Sequence, residues 1–123
     1  MQDTRPKNLN LFTIKFPLPA IVSIFHRVSG VFLFLMIPVL LWLLQLSLSY
    51  DGFDTLTGWL STFYSKFIFW LLLIPLCYHL VAGIRHLLVD IHIGEGRKSG
   101  KLGALAVFII TFVLVILAGI WLW

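Results

Sequence analysis

Charge is scarce in this sequence. Asp, Glu, Lys and Arg together make up 11% of its 123 residues, and only five of them are acidic. Cysteine occurs once, as Cys77 inside an apolar run. A lone cysteine excludes an internal disulfide, a CxxC redox pair and any Cys/His zinc spacing, and reads as a small packing residue. It also excludes an iron–sulfur cluster held by this chain, which takes several thiolates. Catalytic triads, paired carboxylates, P-loops and dinucleotide-binding glycines are all missing. With so few polar side chains the chain cannot run bond-making chemistry alone, so no catalytic residue is assigned. The formal net charge of +4 does not imply a nucleic-acid partner. The Lys and Arg residues gather at the ends of apolar runs, not on a polar face studded with aromatics.

Apolar residues, by contrast, are abundant, at 60%. A soluble domain of this length could not hide that much apolar surface, which makes this an all-α membrane protein in contact with lipid. Residues 1–18 form a cytoplasmic or interfacial arm carrying Arg5, Lys7 and Lys15, with Pro17 and Pro19 barring a continuous helix. Residues 19–123 form one membrane domain of three helices, at about 19–48, 61–89 and 102–123. The first, at about 1.5 Å per residue, is longer than a ~30 Å hydrocarbon core, so its first two turns sit at the interface. The first 19 residues lack the pattern of a cleavable signal, and the first membrane helix is expected to serve as its own. Ser49, Asp51-Gly52, Asp54 and Thr57-Gly58 give residues 49–62 the chemistry of a turn-rich loop. Trp59, Tyr64, Trp121 and Trp123 read as interfacial anchors.

Orientation follows from the basic residues. Arg5, Lys7, Lys15 and Arg27 precede or open the first helix, and Arg85, Arg97, Lys98 and Lys101 follow or close the second; only Lys66 lies on the other side. The positive-inside rule then puts the N-terminus in the cytoplasm and the C-terminus outside, in the periplasm for a bacterial inner membrane.

Chemistry concentrates at two places. His79, Ala82, Gly83, His86 and Asp90 share one helical face, with His79 about two turns deeper than His86. A neutral imidazole in a membrane helix can ligate a haem iron or hydrogen-bond a neighbouring helix, and both readings stand. As the one histidine expected near mid-membrane, His79 would need a second axial ligand from another chain. His86 can contact a haem propionate, relay protons with Asp90, or simply pair with Asp90 at a helix end. Arg85 points away from this face, toward headgroups or a partner. On the first helix Ser23 and Arg27 are four apart and His26 flanks them. A hydroxyl donor and a fixed cation suit a quinone headgroup; Arg27 can equally pair with propionates or serve as an inner-face anchor.

Three segments together carry a resemblance. Arg5-Pro6 followed by Asn8-Leu9-Asn10-Leu11, then Ser23-Ile24-Phe25-His26-Arg27-Val28-Ser29-Gly30, then His79-Leu80-Val81-Ala82-Gly83-Ile84-Arg85-His86 resemble the cytochrome b membrane-anchor subunits of bacterial succinate dehydrogenase. The resemblance covers nearly the whole chain. It implies that His79 is an axial ligand of haem b, with the other ligand on a second hydrophobic anchor subunit. It implies that Ser23 and Arg27 line a ubiquinone site beside the iron–sulfur subunit, and that His26, Arg27 and His86 meet the haem propionates. Asp90 is implied near that site, as a possible proton relay. The electrons would come from succinate through a flavoprotein subunit. An anchor of a fumarate reductase or of another respiratory dehydrogenase, or a small membrane protein whose histidines only pack helices, are the alternatives.

Overall fold

The computed structural model describes Asn10 and residues 12–123. Arg5, Lys7 and most of the first motif lie outside the described residues. Four helices follow in order: α1 (Leu18–Ser47), α2 (Tyr50–Leu60), α3 (Phe63–Asp90) and α4 (Arg97–Leu122). Three of them, α1, α3 and α4, are long and apolar enough to cross a membrane. Helix is the spanning form available to such stretches, because every backbone N–H and C=O must find a partner within the segment.

The helix ends follow local chemistry. Pro17 caps α1 in an extended conformation and Pro19 sits in its first turn, where a missing N–H removes no helical bond. Pro38 and Pro75 lie inside α1 and α3, and both helices run on through them. Ser49 Oγ accepts from the Gly52 amide at 3.1 Å, and Thr62 Oγ1 accepts from Ser65 at 3.4 Å, capping α2 and α3. Residues 49–62, expected as a loop, therefore hold a short helix. Gly52 is essential to it: a Cβ there would collide with the Leu46 carbonyl and the Ser49 hydroxyl. What reads as turn chemistry in Asp51-Gly52 is the close packing of α2 beneath the end of α1. After α3 the chain turns sharply, with His92 and Gly94 at positive φ of 65° and 78°. The first turn of α4 takes up Arg97 to Gly100, ahead of the start expected near residue 102.

Buried surface is small. Val22, Tyr78, Ala82, Ala104 and Val107 make the apolar core where α1, α3 and α4 meet, with Ser29 and Thr111 the buried polar residues. The small side chains let the backbones approach, as membrane helices require. Three side chains then tie helix to helix through backbone carbonyls. Tyr78 Oη donates to Val22 on α1 at 2.8 Å. Trp70 Nε1 donates to Val115 on α4 at 2.8 Å, its indole lying against Gly119. Arg85 donates to Gly100 at 3.2 Å, its stem passing over Gly103. Thus α3 is pinned to α4 near both ends and to α1 between them. Most of the remaining apolar surface is exposed, from Phe34 and Leu35 on α1 to Phe112 and Ile120 on α4, and is fit for lipid or other apolar chains.

Candidate functional site

Two helices present the same short pattern to each other. His26 and Gly30 lie one turn apart on α1; His79 and Gly83 lie one turn apart on the antiparallel α3. Each imidazole rests on the other helix's glycine. A Cβ at residue 30 would come 3.0 Å from His79 Cε1, and one at residue 83 would come 3.3 Å from His26 Nε2. The two rings stack with centroids 4.2 Å apart and planes 11° from parallel. His86 adds a third ring, tilted 48° and 5.0 Å from His26. The three imidazoles thus form a column between α1 and α3. Among the described residues no cluster of His, Cys, Asp or Glu converges as a site for a bare metal ion.

The hydrogen bonds fix which nitrogen of His79 carries the proton. Nδ1 lies 3.1 Å from the His26 carbonyl oxygen and 3.0 Å from Ser29 Oγ. The Ser29 hydroxyl itself donates to the His26 carbonyl at 2.8 Å. A carbonyl can only accept, so the proton sits on Nδ1 and Nε2 keeps its lone pair. Among the described residues Nε2 has no hydrogen-bond partner. A histidine held in this way, with one nitrogen bonded to a backbone carbonyl and the other free, has the arrangement usual for imidazole metal ligands. His86 Nε2 is buried and likewise unpartnered among the described residues. A buried imidazole nitrogen with no partner is costly, and an acidic or polar group of a ligand would satisfy it.

Comparison with known proteins agrees with this architecture. The family model described as "Succinate dehydrogenase/Fumarate reductase transmembrane subunit" matches residues 1–118. The succinate dehydrogenase cytochrome b556 subunit of Coxiella burnetii is 38% identical over the whole of both chains. The subunit of the same name from Rickettsia prowazekii is 32% identical, over 92% of this chain and 89% of its own. The one from Paracoccus denitrificans is 31% identical, over 79% and 78%. The chain belongs to the family of succinate dehydrogenase/fumarate reductase transmembrane subunits. It is a multi-pass membrane protein.

The other site residues of this anchor-family chain fall around the histidine column. Arg27, which is exposed, and Asp90 lie within electrostatic reach of His86, as does Arg85. Ser23 is half-buried one turn before Arg27 on α1, and neither forms a side-chain hydrogen bond with the described residues. Two expectations change. Stacked on His79, His26 shares that ring's level, so His79 is not alone at its depth. Asp90, exposed, does not hydrogen-bond His86. Arg85 points to α4, where it donates to the Gly100 carbonyl while its Nε has no partner among the described residues. Ser29 escaped notice as a site residue, since a serine three residues after a histidine has no distinctive spacing. Only the fold shows that it faces a histidine fifty positions away.

Proposed function

We propose that this chain is the haem b- and ubiquinone-binding membrane anchor of a succinate dehydrogenase. The observation that carries the reading is the His79 imidazole, with Nδ1–H pinned by a backbone carbonyl and Nε2 left free beside the unpartnered His86. The residues fit a haem. His79 would ligate its iron through Nε2, and His26, Arg27 and His86 would take its propionates, Arg27 by charge and the imidazoles by hydrogen bonds. A bound haem b supplies a one-electron carrier within the membrane.

What the chain's own residues do is position and exclude. Gly30 and Gly83 let the two imidazoles lie flat between α1 and α3, and the surrounding apolar helices keep water out. A second ligand to the iron would come from another chain, a second hydrophobic anchor subunit. His26, stacked face to face on His79, would instead serve the propionates. Ser23 and Arg27, one turn apart on α1, suit a ubiquinone headgroup: the hydroxyl donates to a quinone oxygen, and the guanidinium stabilises negative charge as the quinone is reduced. Asp90, exposed at the same end of α3, is placed to deliver protons there. The electrons come from succinate through flavoprotein and iron–sulfur subunits docked at this face. The chain itself carries out no flavin chemistry. The bias of Lys and Arg supports a cytoplasmic N-terminus and a periplasmic C-terminus in a bacterial inner membrane.

The test is optical. The purified complex should show a reduced b-type band. His79→Leu should abolish or transform its low-spin signal. An unaltered spectrum in that variant would remove His79 from the iron, and no b-type band in the native complex would end the haem reading.

A further inference from the structure

The Ser29 hydroxyl is the least expected member of the site. Ser29 is buried at 7% exposure, two residues after the exposed Arg27 on α1. Its Oγ–H donates to the His26 carbonyl at 2.8 Å, one turn back on its own helix. That leaves the oxygen's lone pairs facing His79 Nδ1, 3.0 Å away. The same carbonyl accepts from Nδ1 at 3.1 Å. Imidazole, hydroxyl and carbonyl therefore close a three-membered hydrogen-bonded ring, in which each polar atom is satisfied without water.

We propose that Ser29 is a positioning residue for His79, which holds the imidazole with its Nδ1 proton shared between a hydroxyl and a carbonyl and so raises the electron donation of Nε2. The inference rests on the reading of His79 as a haem ligand. Its physical basis is general. A ligating histidine whose other N–H is drawn toward an oxygen acceptor becomes more basic at the ligating nitrogen, and its ring loses the freedom to rotate. Drawing the proton toward oxygen favours the oxidised iron, so the hydroxyl lowers the potential of the group that His79 holds. The carbonyl alone would leave the Nδ1 proton with a single acceptor. Ser29 supplies the second, from the α1 turn that also carries Gly30 under the ring. A serine that bonds back to its own helix normally disturbs that helix slightly. Here the arrangement turns the hydroxyl oxygen toward α3.

The experiment uses the whole complex, with Ser29→Thr, Ser29→Val and Ser29→Ala beside native protein and His79→Leu. Thr and Val have the same shape, and only Thr keeps the hydroxyl. The readouts are haem content, the electron paramagnetic resonance of the oxidised low-spin haem, and its midpoint potential by redox titration. Ser29→Thr should match the native complex. Ser29→Val and Ser29→Ala should raise the potential, changing the oxidised-to-reduced ratio at fixed ambient potential about tenfold, at the lower end of effects seen at metal sites when such a partner is removed. They should also shift the resonance; loss of haem in both while Ser29→Thr retains it supports the same role. Potentials and spectra of Ser29→Val and Ser29→Ala equal to native, or a Ser29→Thr displaced as far as Ser29→Val, would overturn it. A His79→Leu complex with unchanged haem would instead overturn the assignment of the ligand, so the two failures are told apart.

Discussion

Gly30 lies directly beneath His79: a Cβ on residue 30 would come 3.0 Å from the Cε1 of the imidazole. That contact is tighter than the one at Gly83, where a Cβ would stand 3.3 Å from His26 Nε2. The two glycines occupy equivalent places in a reciprocal arrangement, but they differ in how much a methyl group displaces.

Gly30→Ala should therefore push the His79 ring off its hydrogen bonds, at a cost of about 1–3 kcal/mol for overpacking. The low-spin haem signal of the complex should weaken or shift. Gly83→Ala should act more mildly, because the His26 ring has less distance to yield. Absorbance spectra of the two complexes at matched protein content check the order. Equal effects, or a stronger one from Gly83→Ala, would contradict the contact geometry.

If Ser23 and Arg27 hold the quinone headgroup as proposed, their loss should show first in quinone reduction. Arg27→Leu should lower succinate-driven quinone reduction about tenfold or more, the scale on which a lost electrostatic donor acts. Ser23→Ala should lower it less. Both should leave succinate oxidation with an artificial dye acceptor near native, because that assay bypasses the membrane site. Equal losses in the two assays would point to failed assembly.

Much of this was legible in the sequence, and the rest was hidden for identifiable reasons. The apolar runs announced three spanning helices, because length and hydropathy alone decide whether a helix crosses a bilayer. His79 stands out in the sequence as an ionisable group in the wrong solvent, with His26 and His86 toward the inner face. The stacking of His26 on His79 does not show there, because helix register against helix depends on how small residues such as Ala82 and Ala104 mesh. The bond from Arg85 to the Gly100 carbonyl is hidden too, because backbone acceptors leave no mark in a sequence. The helix α2 was masked by Asp51-Gly52, whose usual meaning is a turn. Ser29 lies within the Ser23-to-Gly30 motif, but its task shows only when α3 is laid beside it.

The ties between helices make a prediction about stability distinct from function. Arg85→Leu removes the donor to Gly100, and Trp70→Phe removes the donor to Val115. Each should cost about 0.6–1.7 kcal/mol, the range for single bonds between membrane helices. Thermal unfolding in detergent should show a lower midpoint for both, while the haem spectrum of the assembled complex stays native. An Arg85→Leu complex that unfolds at the native midpoint would mean that the bond to α4 contributes nothing.

The stack of His26 on His79 also decides where the second axial ligand can be. Their planes are 11° from parallel and their centroids 4.2 Å apart, which leaves no room between the two ring faces for a flat group. Two ligands of one haem must approach from opposite faces. His26→Phe keeps a flat ring on His79 but removes both nitrogens. If the second ligand lies on a partner anchor, this complex should retain six-coordinate low-spin haem, with only its potential altered through the lost propionate contact. Conversion to a five-coordinate spectrum would make His26 the second ligand and place the whole haem site on this chain. The same logic holds for the chain expressed without partners, which should not retain stoichiometric six-coordinate haem. Finding it there would reject the shared site independently of any substitution.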